Sequence, residues 1–172
     1  MAQFDAEGDV VETSYTRPSN TTQYTANDAM SDSTSAPSCL TFSNCARRPG
    51  GSGFVLGATA ISSANQSTLP QLTLYIFDTS VTATNDNAEF NLSDTDAVNL
   101  LGSFQFTGFE ALDETSGANG NAKDEARPKN DGAFAFRCGT TVRHLYGLVK
   151  VENAYTPVSG EKVTFRLHLL QD

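Results

Sequence analysis

The chain has 172 residues, a length that predicts one compact domain with an arm or long loop rather than two full domains. Its 20 acidic and 11 basic residues give a formal net charge of -9, so nonspecific binding to nucleic acid or to an anionic membrane is not expected. Its longest apolar runs are far shorter than the roughly 20 residues of a transmembrane helix. Asp5, Glu7 and Asp9 stand where a secretory signal would be basic and then apolar. We therefore expect a protein that is made and kept in the cytoplasm.

Residues 1–38 are rich in Ser, Thr and carboxylates, and Arg17 is their one basic residue. The run from Val10 to Thr16 has strand-like chemistry and could pair with a sheet. The residues after it favour irregular turns, because short polar side chains compete for backbone hydrogen bonds. We predict a polar N-terminal arm over 1–38 that contributes little to the core and is ordered by a partner or a neighbouring subunit. Residues 39–172 would form the folded domain.

From Cys39 onward the hydrophobic period becomes two, which indicates strands. Phe54, Leu56, Ala58 and Ala60 alternate with Val55, Gly57, Thr59 and Ile61, and small residues on both faces predict a closely covered strand. The run QLTLYIF is apolar on both faces and predicts a central strand. Further strands are expected at LTF, GSFQFTGF, AFAFR, TVRHLYGLVKVE and EKVTFRLHLL, which makes seven to nine in all.

Several of these strands carry more large apolar groups than a small sandwich needs inside. Phe104, Phe106, Phe134 and Phe136 lie in two of them, and the run from Leu72 to Phe77 is apolar on both faces. We expect part of this surface to meet another subunit.

One helix is predicted at SDTDAVNLLG, where Ser93 and Asp96 form a capping box and Gly102 ends the helix. Asp94 and Asp96 lie where the helix dipole favours negative charge. Strands without long intervening helices indicate an all-β, antiparallel β-sandwich, of jelly-roll-like type. Residues 113–132 form a long polar insertion, which we expect on the surface and mobile.

Neither histidine has the neighbours of a catalytic group. His168 alternates with Thr164 and Arg166 and is expected on the solvent side of its strand. His144 is expected as a hydrogen-bonded, partly buried strand residue.

Cys39, Cys45 and Cys138 are predicted to be free thiols, because three is an odd number and the cytoplasm is reducing. A bridge between Cys39 and Cys45 is the less favoured alternative. Cys138 is expected to be a small buried apolar group.

The acidic stretch DNAEFNLSDTD carries oxygen ligands of the kind that calcium uses, but its spacing matches no EF-hand loop. Solvated acids and helix caps explain it better, and we predict no metal and no cofactor. The candidate ligands are Asp86, Asn87, Glu89, Asp94 and Asp96. A pair of glycosidase carboxylates stays open as an alternative, because such a pair is defined by its distance in space and not by its spacing along the sequence.

The string ARRPGGSG is glycine-rich, but it lacks the Lys-Ser or Lys-Thr of a phosphate-binding loop and precedes a strand. Arg47 and Arg48 are the only adjacent basic pair in an acidic chain. They are either a solvated turn or an anchor for carboxylates on a partner, a role that suits arginine. Arg47 and Arg48 are therefore our candidate partner contact.

Five strings occur together in this sequence: YTANDAM, ARRPGGSGFVLGATAI, LPQLTLYIFD, DNAEFNLSDTDAVNLLG and LYGLVKVENAYTP. From about Tyr24 to the C-terminus, the chain resembles small virion proteins of tailed bacteriophages that are encoded near the major capsid protein and decorate, or cement, the capsid. The strings DNAEFNLSD and RRPGGSG carry most of this resemblance.

The resemblance implies a jelly-roll-like domain that binds the major capsid protein on the capsid surface and assembles with itself as a homotrimer or homodimer. It supplies no catalytic residues, and we expect no enzymatic activity. The alternative is a carbohydrate- or receptor-binding jelly-roll module of a phage head or tail. That alternative needs exposed aromatic platforms, and the chain has no tryptophan and five tyrosines.

Overall fold

The computed structural model describes residues 7–64, 68–111, 124–126 and 132–172. Over these ranges the chain forms two antiparallel sheets that pack as a sandwich, with one short helix, so the predicted all-β, antiparallel sandwich is confirmed. The strands are β1 (Glu7–Thr16), β2 (Ala29–Met30), β3 (Leu40–Phe42), β4 (Ser52–Ser62), β5 (Leu72–Phe77), β6 (Leu100–Phe106), β7 (Phe109–Ala111), β8 (Asp124–Ala126), β9 (Phe134–Arg137), β10 (Leu145–Val151) and β11 (Lys162–Gln171).

The eleven strands of these ranges exceed the predicted seven to nine. The difference lies in β2, β7 and β8, which have only two or three residues each. An alternation of period two needs about four residues to be recognised, so such short pairings leave little pattern in the sequence.

The six-stranded sheet has the order β1-β11-β4-β8-β7, and β9 also pairs with β4. A β-bulge interrupts the pairing of β4 with β11: His168 pairs with Gly57 and Leu169 with Val55, which leaves Leu56 as an extra residue. Because of this bulge, the four alternating residues that the sequence pattern places on one face of β4 do not share a face. Phe54 and Leu56 lie on the outer face, whereas Ala58 and Ala60 point into the core.

The prediction that β4 is closely covered on both faces is therefore wrong for its first half. Phe54 is 42% exposed and Leu56 is 50% exposed. Ala58 and Ala60 lie on the inner face, where their small side chains allow the opposite sheet to approach.

The five-stranded sheet has the order β2-β10-β5-β6, and β3 also pairs with β10. β5 is a central strand, as predicted, because it lies between β10 and β6. Leu72, Leu74 and Ile76 point into the main core. Phe77 belongs to a second, smaller cluster with Val81 and Leu148 on the other side of the sheet.

The main core fills the space between the two sheets with aromatic and branched aliphatic side chains. Phe104 contacts Phe134 at 5.4 Å between ring centroids, and Phe106 contacts Phe165 at 6.0 Å. The expectation that these phenylalanines offer surface to another subunit is wrong for Phe104, Phe106 and Phe136. They are buried inside this chain, because β6 and β9 bring their rings into the space between the sheets.

The N-terminal segment contributes to the core, contrary to the expectation from its polar composition. β1 pairs with β11 along its whole length, from Glu7 opposite Gln171 to Thr16 opposite Lys162. The main cluster includes four large residues of this segment, Val11, Tyr15, Tyr24 and Met30. A few large apolar groups at the right spacing outweigh the polar majority. The predicted ordering of 1–38 by a partner stays a prediction, which hydrogen exchange can test.

The helix α1 (Asp94–Ala97) begins as predicted and ends earlier. The Ser93 hydroxyl accepts a hydrogen bond from the Asp96 backbone N–H at 3.1 Å, which confirms the N-terminal cap. Gly102 does not end the helix, since it lies within β6 opposite Ile76. A Cβ atom on Gly102 would come within 2.7 Å of the Phe134 ring, so this glycine permits close packing of the strand.

The predicted polar insertion at 113–132 lies mostly outside the described residues. Its described portion includes β8, which pairs with both β7 and β4, so at least three of these residues extend the sheet.

Among the described residues, the structure contains no helix with the length and apolar character that a membrane span requires.

Candidate interaction surface

The two histidines occupy structural positions. His168 lies on the outer face of β11, as predicted, with its Nε2 atom 3.0 Å from the Thr59 hydroxyl. His144 precedes β10 instead of lying within it, and its ring meets the edge of Tyr146 at 6.4 Å between centroids. The expected hydrogen bond is not found at Nδ1, which is buried without a partner among the described atoms.

The three cysteines are free thiols in the structure. Burial raises the pKa of Cys45 to about 12 and that of Cys138 to about 11, so both remain protonated near neutral pH. Neutral, buried thiols are poor nucleophiles. Cys138 is thus the small buried group that the sequence predicts, and Cys39 is half-buried beside the Ser80 hydroxyl, 3.4 Å away.

Asp86, the first candidate calcium ligand, is instead the centre of a buried ion-pair network. Its Oδ2 atom accepts a hydrogen bond from Arg17 Nη2 at 2.9 Å, and both side chains are fully buried. Its Oδ1 atom accepts from the Tyr24 hydroxyl at 2.5 Å and from the Ser31 backbone N–H at 3.0 Å. Arg17 Nε also donates to the Tyr24 hydroxyl.

This network holds the N-terminal segment on the sandwich. Burial of Arg17 disfavours its charge, but Tyr24 and Asp86 outweigh that effect and raise the pKa of the guanidinium above its ordinary value. Burial raises the pKa of Tyr24 well above its usual range, so this hydroxyl stays a donor to Asp86. The Tyr24 ring also stacks on Tyr155 at 5.2 Å between centroids. Sequence reasoning missed this network, since its members are up to 69 residues apart.

The other candidate ligands also have structural roles. The Asn87 side-chain amide donates to the backbone oxygens of Thr22 and Gln23, and Glu89 forms an isolated bridge with Asp28. Asp94 and Asp96 belong to the first turn of α1. No group of three or more potential metal ligands occurs in the ranges that the structure describes.

Arg47 and Arg48 lie on an exposed loop, which we call the arginine loop (residues 43–51). Its backbone is anchored at both ends: Cys45 N–H donates to the Arg143 oxygen at 2.7 Å, and Gly50 N–H donates to the Gly139 oxygen at 3.0 Å. Gly50 has φ of 70°, a conformation that favours glycine. The loop is therefore a fixed platform that presents two guanidinium groups to solvent.

Arg47 already has a carboxylate partner within the chain. Its Nη2 atom lies 3.0 Å from Glu7 Oε2, and the two side chains are 37% and 70% exposed. An exposed pair of this kind contributes about 0.2–1 kcal/mol, so a carboxylate on another protein can replace Glu7 at low cost.

The arginine loop borders an apolar surface on the outer face of the six-stranded sheet. This outer-face patch comprises Val10, Phe54, Leu56, Ala135 and Leu170. Val10, Phe54 and Leu56 are each 42–53% exposed. The loop leads directly into β4, which contains Phe54 and Leu56 of the patch. Arg47 of the loop pairs with Glu7, the first residue of β1, and β1 contains Val10 of the patch. The loop and the patch therefore share one end of the sandwich.

No protein-family model matches the chain, and no curated protein matches it. Among solved structures, it is similar to a chain of the cyanophage Pam1 capsid asymmetric unit, with 16% sequence identity and a TM-score of 0.38. The alignment covers 100% of this chain and 90% of the other.

Proposed function

We propose that this protein is a structural component of a bacteriophage virion that binds the outer surface of the capsid and stabilises the contacts between capsomers. The observation that carries the proposal is the pair of adjacent, exposed arginines on an anchored loop of an acidic chain. The sequence resemblance to decoration proteins supports it. The proposal includes no catalytic activity, and the partners are the major capsid protein and further copies of this chain.

The arginine loop suits such a contact for two physical reasons. A guanidinium group binds a carboxylate through two parallel hydrogen bonds, which a lysine cannot do. The loop backbone is already fixed by hydrogen bonds to residues 139–143, so little conformational entropy is lost when the contact forms. Where two or more copies are joined and contact the shell at the same time, a modest affinity per copy is sufficient.

The carbohydrate-binding alternative has less support. Tyr15, Tyr24 and Tyr155 are buried, and Tyr75 and Tyr146 are half-buried, so none of the five tyrosines presents an open ring for sugar stacking. A groove of about 240 Å³ lies on the outer face of the six-stranded sheet, and its described lining contains no aromatic side chain. It is lined by Glu12, Ile61, Ser62, Ser63, Lys162, Thr164 and Arg166.

The test is binding of the purified protein to capsids that lack it. The informative variant is Arg48→Glu, and the matched control is Lys162→Glu, which makes the same charge change at another exposed position. We expect Arg48→Glu to weaken binding at least about tenfold, which corresponds to about 1.4 kcal/mol, and the control to change it little. Wild-type protein should also raise the temperature at which a dye reaches the packaged DNA.

Equal binding by Arg48→Glu and Lys162→Glu would remove the arginine loop from the contact. Absence of binding by the wild-type protein, together with unchanged capsid stability, would contradict the decoration role itself. Glycan-specific binding instead would favour the carbohydrate module.

A further inference from the structure

We propose that the outer-face patch is a homodimer interface, at which a second copy of this chain packs face to face across a two-fold axis. The axis runs across the strands at the level of Leu169. The inference comes from strand register and does not depend on the proposed capsid function.

The first argument is that the other sheet of the same molecule has its outer apolar groups covered. Phe77, Val81 and Leu148 form a cluster there, and Phe90 stacks on Tyr75 at 5.3 Å between ring centroids. Over the patch, by contrast, the described chain leaves three large apolar side chains about half exposed. A cluster of large apolar groups that remains open on the face of a sheet marks an interaction site.

The second argument is that neighbouring rows of the sheet are complementary to each other. One outward row contains Phe54, Leu170 and Gly8, which are paired side by side on β4, β11 and β1. The next outward row contains Gly57, His168 and Val10. On β4 and on β1, a large apolar residue in one row is therefore matched by a glycine in the other row.

A two-fold axis that runs across the strands between these two rows places the first row of one copy over the second row of the other copy. Phe54 then packs over Gly57 of the second copy, and Val10 packs over Gly8. A Cβ atom on Gly57 would meet no described atom within 4 Å, and one on Gly8 would meet only the Leu169 oxygen at 4.0 Å. Both glycines therefore leave depressions that can accept a side chain, as a self-complementary two-fold contact requires.

The third argument is electrostatic. Arg166 and Asp172 lie three residues on either side of Leu169 along the chain, so the axis places Asp172 of one copy over Arg166 of the other. Arg166 is also paired with Glu12 at 3.1 Å. Charges of both signs thus border the patch, and a chain of net charge -9 can approach its own copy there without local repulsion.

The size of the patch predicts a weak dimer. Four strands spaced about 4.8 Å apart and seven residues at about 3.4 Å each outline roughly 450 Å² per copy. The total of roughly 900 Å² lies below the standard interface of about 1,600 Å². We therefore expect dissociation in the micromolar range instead of a permanent dimer. The register selects a dimer over the trimer that the sequence resemblance also allows.

Sedimentation equilibrium from about 1 µM to about 500 µM tests the inference. The wild-type mass should rise with concentration from 18.3 kDa to twice that value. Phe54→Ser, Val10→Ser and Gly57→Leu should each weaken the dimer at least about tenfold. Val98→Ser is the matched control, because Val98 is 80% exposed but lies beside α1, away from the patch.

Gly57→Leu is the decisive variant, since it adds apolar area to the patch while filling the depression. Nonspecific association would become stronger, whereas the two-fold fit becomes weaker. A wild-type protein that stays monomeric throughout, a trimer, or a dimer strengthened by Gly57→Leu would each overturn the inference. Thermal unfolding shows whether each variant is folded. Because the three variants lie on two different strands, the test remains valid if one of them fails to fold. Capsid binding by the monomeric variant is measured separately, so the two proposals can fail independently.

Discussion

The outer faces of the two sheets differ in how far other residues cover them. The five-stranded sheet carries Tyr75, Phe77 and Leu148 on its outer side, and a segment of the same chain, the covering loop (residues 78–92), packs over them. The six-stranded sheet carries Val10, Phe54 and Leu56 on its outer side, and they remain about half exposed. Both outer faces are apolar, but only that of the five-stranded sheet is covered by another segment of the described chain.

The comparison shows that apolar character alone does not say what covers a face. The covering loop is held in place by Asp86, which accepts hydrogen bonds from Arg17, Tyr24 and Ser31. A buried ion pair thus fixes the loop that completes the smaller apolar cluster. Over the outer-face patch, the described part of the chain holds no such loop, and we assign the cover of this face to a second copy.

The largest expected effect is on the attachment of the covering loop. Asp86→Ala leaves the Arg17 guanidinium buried without its carboxylate, and the free energy of unfolding should fall by about 3–5 kcal/mol. Glu7→Ala breaks the exposed pair with Arg47 and should cost no more than about 1 kcal/mol. Urea unfolding measures both. Equal losses would contradict the assignment of Asp86 as the structural centre of the network.

The second effect concerns the cover itself. Phe90→Ser removes the ring that stacks on Tyr75, and the free energy of unfolding should fall by about 1–3 kcal/mol from lost stacking and apolar burial. The newly exposed face should also increase association at high concentration. A variant with unchanged stability and unchanged sedimentation would show that the covering loop does not protect this face.

The smallest effect on stability is expected at the open face. Phe54→Ser changes a side chain that is already 42% exposed, and the free energy of unfolding of the monomer should fall by less than about 1 kcal/mol. Urea unfolding at low protein concentration measures the monomer alone. A loss as large as that of Phe90→Ser would mean that Phe54 is packed within its own chain.

Much of the fold could be predicted from local pattern. Alternating apolar residues identified β4, β9 and β11, because the side chains of a strand point to opposite faces, and a short run that is apolar on both faces identified β5. The cap of α1 at Ser93 could also be predicted, since its hydrogen bond joins residues three apart. The end of α1 could not: residues 100–106 pair with β5, and that pairing outweighs the local preference for helix.

The candidate site was predictable only in part. Arg47 and Arg48 were recognised as an adjacent basic pair, but the Glu7 partner and the anchored backbone depend on segments that are distant in sequence. The outer-face patch was missed, because strict alternation groups Phe54 and Leu56 with the two alanines that follow them. The bulge at Leu56 separates these pairs, and it exists only through the register of β4 on β11.

The sequence by itself determined where the longer strands lie, where the helix begins and that the chain is acidic, because these properties depend on residues that are neighbours along the chain. The tertiary structure alone decided that Asp86 is the buried ion-pair partner of Arg17, that Val11 and Tyr15 belong to the core, and which face of β4 meets solvent. Each of these depends on contacts between distant segments, and the free energy of burying a charge or a ring is set by the groups that surround it and not by its neighbours in sequence.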